Sequence, residues 1–87
     1  MKIVKATDTE KNAWRNAKEL HPLYGYVMVS GHRCAVEYLG EGPGEPNYEA
    51  HAPQGMHFDD GLHTVLGTNQ KDLFMQLSAL EKCRRDC

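Results

Sequence analysis

Eighty-seven residues, a quarter of them charged and 40% hydrophobic, provide for one domain with a single core, because a chain of this size buries only roughly 60 to 65 per cent of its unfolded surface. No uncharged apolar run reaches the length of a membrane span, and no apolar stretch of signal-peptide length follows the basic start Met1–Lys5, so a cytoplasmic protein is expected. The net charge of -2 is unevenly spread: residues 1–39 carry six Lys/Arg against four Asp/Glu, residues 40–69 carry five carboxylates and no Lys or Arg, and residues 70–87 carry four basic and three acidic groups.

Met1 to Lys5 reads as a short edge strand. Thr7-Asp8-Thr9-Glu10 is a capping box, in which the Thr7 hydroxyl accepts from the Glu10 amide while the Glu10 carboxylate reaches back, and it opens a helix predicted over 8–21. Pro22 sets the end by biasing His21 out of helical backbone. On that helix Ala13, Ala17 and Leu20 share one face with Trp14 at its border, and Lys11, Arg15 and Lys18 stand opposite.

Residues 24–39 read as one β-hairpin. Gly31-His32 suits the centre of a type II′ turn, which sets Val29 opposite Cys34, Val27 opposite Val36 and Gly25 opposite Tyr38 on an apolar face. Met28 with Ala35, Tyr26 with Glu37 and Tyr24 with Leu39 then make a mixed, partly covered face. The segment 40–47, rich in Gly, Pro and Glu, lacks apolar periodicity and is expected to be a flexible loop. A third strand is predicted over 48–52, stopped by Pro53, and a fourth over 62–66 behind the turn-like Asp59-Asp60-Gly61. A second helix is predicted over 69–84, with Asn69 as N-cap, Asp72 at the third position, and Leu73, Leu77 and Leu80 as its core stripe beside Phe74 and Cys83. The expected class is α+β: an antiparallel sheet of three or four strands, in a single domain over 1–87, with both helices packed on one face.

Three histidines recur at a spacing of six, His51, His57 and His63, each with a glycine four residues on. Two readings stay open: the rings converge as nitrogen ligands of zinc, or they sit apart in turns, because the glycines and Pro53 break the segment. Cys34, Cys83 and Cys87 are an odd number in a chain without an export signal, which predicts reduced thiols and no disulfide framework, with Cys34 pointing into the core. Neither a GxSxG elbow nor a phosphate-cradling glycine loop occurs, so neither enzymatic activity nor a cofactor is expected.

Two charged surfaces remain. Glu41, Glu45, Glu49, Asp59 and Asp60 form an acidic strip beside the loop, which points to a non-enzymatic protein-binding module, an inhibitor or adaptor that engages a larger partner with a basic surface. In composition the chain looks like an accessory protein of a phage or mobile element. The alternative is a nucleic-acid-binding regulator that uses Lys11, Arg15 and Lys18, with Trp14 available for stacking. Tyr26 and Met28 on the mixed sheet face leave room for a homodimer.

Overall fold

A computed structural model of the chain describes residues 1–17, 21–40, 42, 45–80 and 83–85. Their elements follow in the order β1 (Val4–Lys5), α1 (Asp8–Asn16), β2 (Leu23–Val29), β3 (His32–Tyr38), β4 (Tyr48–His51), β5 (Met56–Phe58), β6 (Thr64–Gly67), α2 (Gln70–Leu80) and β7 (Cys83–Arg85). Five strands make an antiparallel sheet in the order β1-β2-β3-β4-β6, and β5 pairs with β7 in a separate two-stranded ribbon. The protein is a small α+β domain with a helix near each end.

Period-two alternation builds the centre of the sheet. Val27 and Val29 of β2 and Cys34 and Val36 of β3 lie on one face, none more than 2% exposed. The turn between them is formed by Ser30 and Gly31, with φ of 50° and 81°, and not by Gly31-His32. Two successive left-handed residues match a type I′ turn, whose twist suits a tight hairpin. Val29 therefore faces His32, and Val27 faces Cys34 and not Val36. Relative to the expected pairing, each β2 residue meets a partner two positions earlier on β3, an even step that changes neighbours but leaves every side chain on its face.

A bulge between Leu23 and Gly25 breaks this parity. Gly25 pairs with Val36 on the core face, whereas Leu23 pairs with Glu37 on the other, and both Leu23 and Glu37 are buried. The extra residue, Tyr24, turns its ring to Tyr38 and Tyr48, with centroids 6.2 and 5.4 Å away, and its hydroxyl accepts from the Gln70 side chain at 3.1 Å.

The helices take opposite faces of the sheet, and the expectation that they share one is corrected. Leu73 and Leu77 of α2, both 0% exposed, close the core over Val27, Val36, Ala50 and Val65, joined by Met56, Phe58 and Cys83 from the ribbon. The α1 helix lies over the Ala35, Glu37 and His51 side, where Trp14 meets the His51 ring with centroids 5.8 Å apart. No α1 residue is fully buried, and Ala13 and Ala17 are exposed. Their methyl groups are too small to anchor nine residues against a polar sheet face, so Trp14 carries the contact. The capping box is present, with Thr7 N–H donating to Glu10 Oε1 at 2.9 Å and Glu10 N–H to Thr7 Oγ1 at 3.2 Å. The helix stops at Asn16; of the rest of the expected span, Lys18 to Leu20 lie outside the described residues.

At the other end the predicted helix over 69–84 stops at Leu80, and Cys83 to Arg85 are extended and pair with β5. Leucine spacing extrapolated the helix too far. Asn69 Oδ1 accepts from Asp72 N–H at 2.8 Å, as its N-cap role requires, and the Asp72 carboxylate accepts from Thr68 N–H at 2.9 Å. The expected strands over 48–52 and 62–66 occur as Tyr48–His51 and Thr64–Gly67, while β5 and β7, three residues each, fell below any alternation readable in the sequence. Of the segment 40–47, Glu41, Pro43 and Gly44 lie outside the described residues.

Candidate functional site

The parity rules that fill the core place a polar group on the opposite sheet face. Glu37 and Glu49 are direct cross-strand partners on β3 and β4, and His51 lies two residues beyond Glu49 on the same side. Two carboxylates in that position repel each other unless a positive group joins them. The His51 imidazole fills the gap: Nε2 contacts Glu37 Oε1 and lies 3.2 Å from Glu49 Oε1. One donor atom from each of the three residues lies within 4.8 Å of the other two.

The surroundings are unequal. The Glu37 side chain is 4% exposed, those of Glu49 and His51 about a quarter, and the Trp14 ring stands edge-on to the imidazole at an interplanar angle of 65°. His51 Nε2 itself has no access to solvent and, despite two carboxylates in range, no hydrogen bond of acceptable geometry. A buried ring nitrogen in that state has an uncommitted lone pair or proton, which is the condition of a ligand or a proton carrier.

A second feature lies on the same face, toward β1. Only Val4 and Lys5 pair with β2, opposite Tyr26 and Gly25, so among the described residues the outer edge of Val27 to Val29 has no strand partner. The gap opens on a groove of about 370 Å³ whose apolar walls are Val4, Tyr26 and Met28 and whose charged rim includes Lys2, Lys5 and Arg33. Val4 and Met28 are 60% and 54% exposed. Arg33 lies over the Tyr26 ring, its guanidinium carbon 4.0 Å from the centroid, and reaches Glu10 Oε2 at 3.4 Å.

The residues singled out in the sequence are distributed differently. Of the acidic strip, Glu49 belongs to the cluster with His51, Asp59 accepts from Arg84 Nε at 2.6 Å, Asp60 Oδ1 accepts from Leu62 N–H at 3.0 Å, Glu45 is exposed, and Glu41 lies outside the described residues. On α1, Lys11 and Arg15 are exposed and Lys18 lies outside the described residues, while half-buried Trp14 meets the His51 ring and donates from its Nε1 to the His21 carbonyl at 3.1 Å. The three histidines do not converge: His51 is in the carboxylate cluster, His57 is in β5 opposite Arg84, and His63 Nδ1 lies 2.8 Å from the Met56 carbonyl. Glu37 was missed as a site residue. Its signal was its position, a carboxylate between Val36 and Tyr38 in a predicted strand, but its proximity to Glu49 depends on the register of β3 on β4, which no local pattern in the sequence displays.

Cys34 and Cys83 meet in the core with sulfurs 3.9 Å apart, and both are unbridged. Burial pushes the Cys34 thiol up to about 12, helped by the neighbouring Cys83 sulfur, and raises Cys83 as well. Protonated thiols of this kind are poor nucleophiles and poor metal ligands. No helix among the described residues is long and apolar enough to cross a membrane. No family model, curated protein or solved structure matches the chain.

Proposed function

We propose that this protein is a non-enzymatic binding module that captures an extended segment of a partner protein along the uncovered edge of β2. The observation that carries the reading is the coincidence, at one place, of an unpaired strand edge over Val27 to Val29 and an apolar groove rimmed by Lys2, Lys5 and Arg33, with Glu10 beside Arg33 as its one carboxylate, so that the rim is basic on balance. Strand addition supplies affinity through main-chain hydrogen bonds, and alternate side chains of the guest enter the groove. The rim selects its charge. A guest that alternates apolar residues with Asp or Glu complements it, so the favoured partner is acidic at the contact and not basic as the acidic strip had suggested.

A second copy of this chain is a weaker guest. Pairing two β2 edges about a two-fold axis brings each basic rim against its own counterpart, which costs free energy where charges face directly. Of the acidic strip, Glu49, Asp59 and Asp60 already have local partners, which favours the β2 edge over it as the docking surface.

Selection of a random peptide-display library on the immobilised protein tests the proposal. Sequences that alternate apolar and acidic residues should be enriched, Met28→Asp should weaken their binding by about tenfold or more, and Glu45→Lys should leave it unchanged. Enrichment of basic peptides, or binding indifferent to Met28→Asp, would overturn it.

A further inference from the structure

The Glu37, Glu49 and His51 cluster is independent of the β2 edge, and it carries its own consequence. With a neutral imidazole it holds two negative charges in a site where Glu37 is almost wholly buried; with a protonated one it still holds a net negative charge. A buried carboxylate such as Glu37, set directly opposite a second one, needs compensation by a partner of opposite charge and good hydrogen-bond geometry. The imidazole does not provide the geometry, since Nε2 makes no hydrogen bond to either carboxylate although both are within reach. Two observations point to a cation among the three residues: the like-charge cross-strand pair with Glu37 almost wholly buried, and the convergence of one donor atom from each residue within 4.8 Å.

We propose that Glu37, Glu49 and His51 bind one divalent first-row transition-metal ion of the zinc class, through Nε2 and one oxygen of each carboxylate. The donor set selects the class. An imidazole nitrogen with two carboxylate oxygens suits Zn²⁺, Co²⁺ or Mn²⁺, whereas Ca²⁺ asks for six to eight oxygens and Mg²⁺ for a largely hydrated oxygen shell. The three ligands sit on the paired inner strands β3 and β4, so their spacing is held by the sheet and not by a loop. Trp14 packs beside the imidazole in an edge contact, and the Glu49 and His51 side chains are each about a quarter exposed, which leaves the cluster open to solvent on that side.

The test uses the full-length chain without a histidine tag, kept reduced, titrated with ZnCl₂ by calorimetry and with CoCl₂ by visible absorption, with MgCl₂ as the control. One Zn²⁺ or Co²⁺ per chain is expected, with no Mg²⁺ binding of comparable strength. His51→Ala should lower the Zn²⁺ affinity by about a hundredfold and Glu49→Gln by about tenfold. Circular dichroism checks that each variant is folded. Where one is not, the imidazole resonances of the unaltered protein replace it: a Zn²⁺-induced shift of His51 supports the site, and a shift confined to His57 or His63 overturns it. Absence of saturable binding, affinity unchanged in both variants, or a thiolate-to-cobalt charge-transfer band would equally overturn it.

Discussion

Gly67 shows how much a single residue decides here. A Cβ built at this position stands 2.7 Å from the Leu73 Cβ and 2.8 Å from its Cα and N, because the last residue of β6 runs directly against the first turn of α2. The contact is backbone against backbone, which cannot yield as a flexible side chain does. Gly67→Ala should therefore destabilise the fold by about 1 to 3 kcal/mol, read as a lower urea midpoint at unchanged m-value. At Gly31, with φ of 81° and open space around it, the same substitution meets no atom and costs only the strain of left-handed backbone. Glu37 belongs to this scale too. One bulge at Tyr24 brings it beside Leu23 and makes a buried charge of a residue that alternation alone marks as facing half-covered surface.

Among the elements, α1 depends most on its ends. It buries no residue completely and is held by Trp14 and by its capping box, so loss of the cap is not masked by core packing. Thr7→Ala should cost about 1 kcal/mol and selectively raise amide exchange in the first turn of α1, while α2 keeps its protection. The Glu10 carboxyl is held below its ordinary value, first by the Thr7 backbone N–H, and a depressed acid stabilises above its unfolded value of 4.5 and loses that contribution as pH falls below it. Glu10→Gln, which removes the carboxylate that the Thr7 N–H stabilises, should abolish that acid sensitivity of α1. The β5 and β7 strands make the opposite point. Three residues each, they persist because their side chains Phe58 and Cys83 are sealed into the core and Arg84 meets Asp59. Neither strand would be stable as an isolated ribbon.

For the molecule as a whole, the core links the sheet, α2 and the ribbon through the Cys34 and Cys83 sulfurs, and this ties stability to alkaline pH. The folded Cys34 thiol holds its proton to about 12, against 9.0 in the unfolded chain. Below pH 9.0 both states are protonated and nothing changes; above it the unfolded state sheds a proton that the folded state retains, so stability falls as pH rises toward about 12. Urea unfolding at ~pH 8 and ~pH 10.5 should show that fall, and Cys34→Ala should reduce its slope, which separates the thiol from tyrosine and lysine titration. An equal slope in the variant would place the effect elsewhere. The same burial predicts slow alkylation of both thiols until the chain unfolds.

Local chemistry determined much of this protein. The helix starts at Thr7 and Asn69, the alternation of Val27, Val29, Cys34 and Val36, the Leu73 and Leu77 stripe and the α+β class all follow from interactions within a few residues, which a linear sequence displays directly. The faces even survived a misplaced turn, because an even shift in register preserves side-chain direction. Only the tertiary structure decided the bulge at Tyr24, the division of the helices between two sheet faces, the three-residue ribbon that ends α2, and the meeting of Glu37, Glu49 and His51. Each of these depends on which distant strands pair and at what offset, a choice governed by packing of the assembled core and not by the preferences of any one segment.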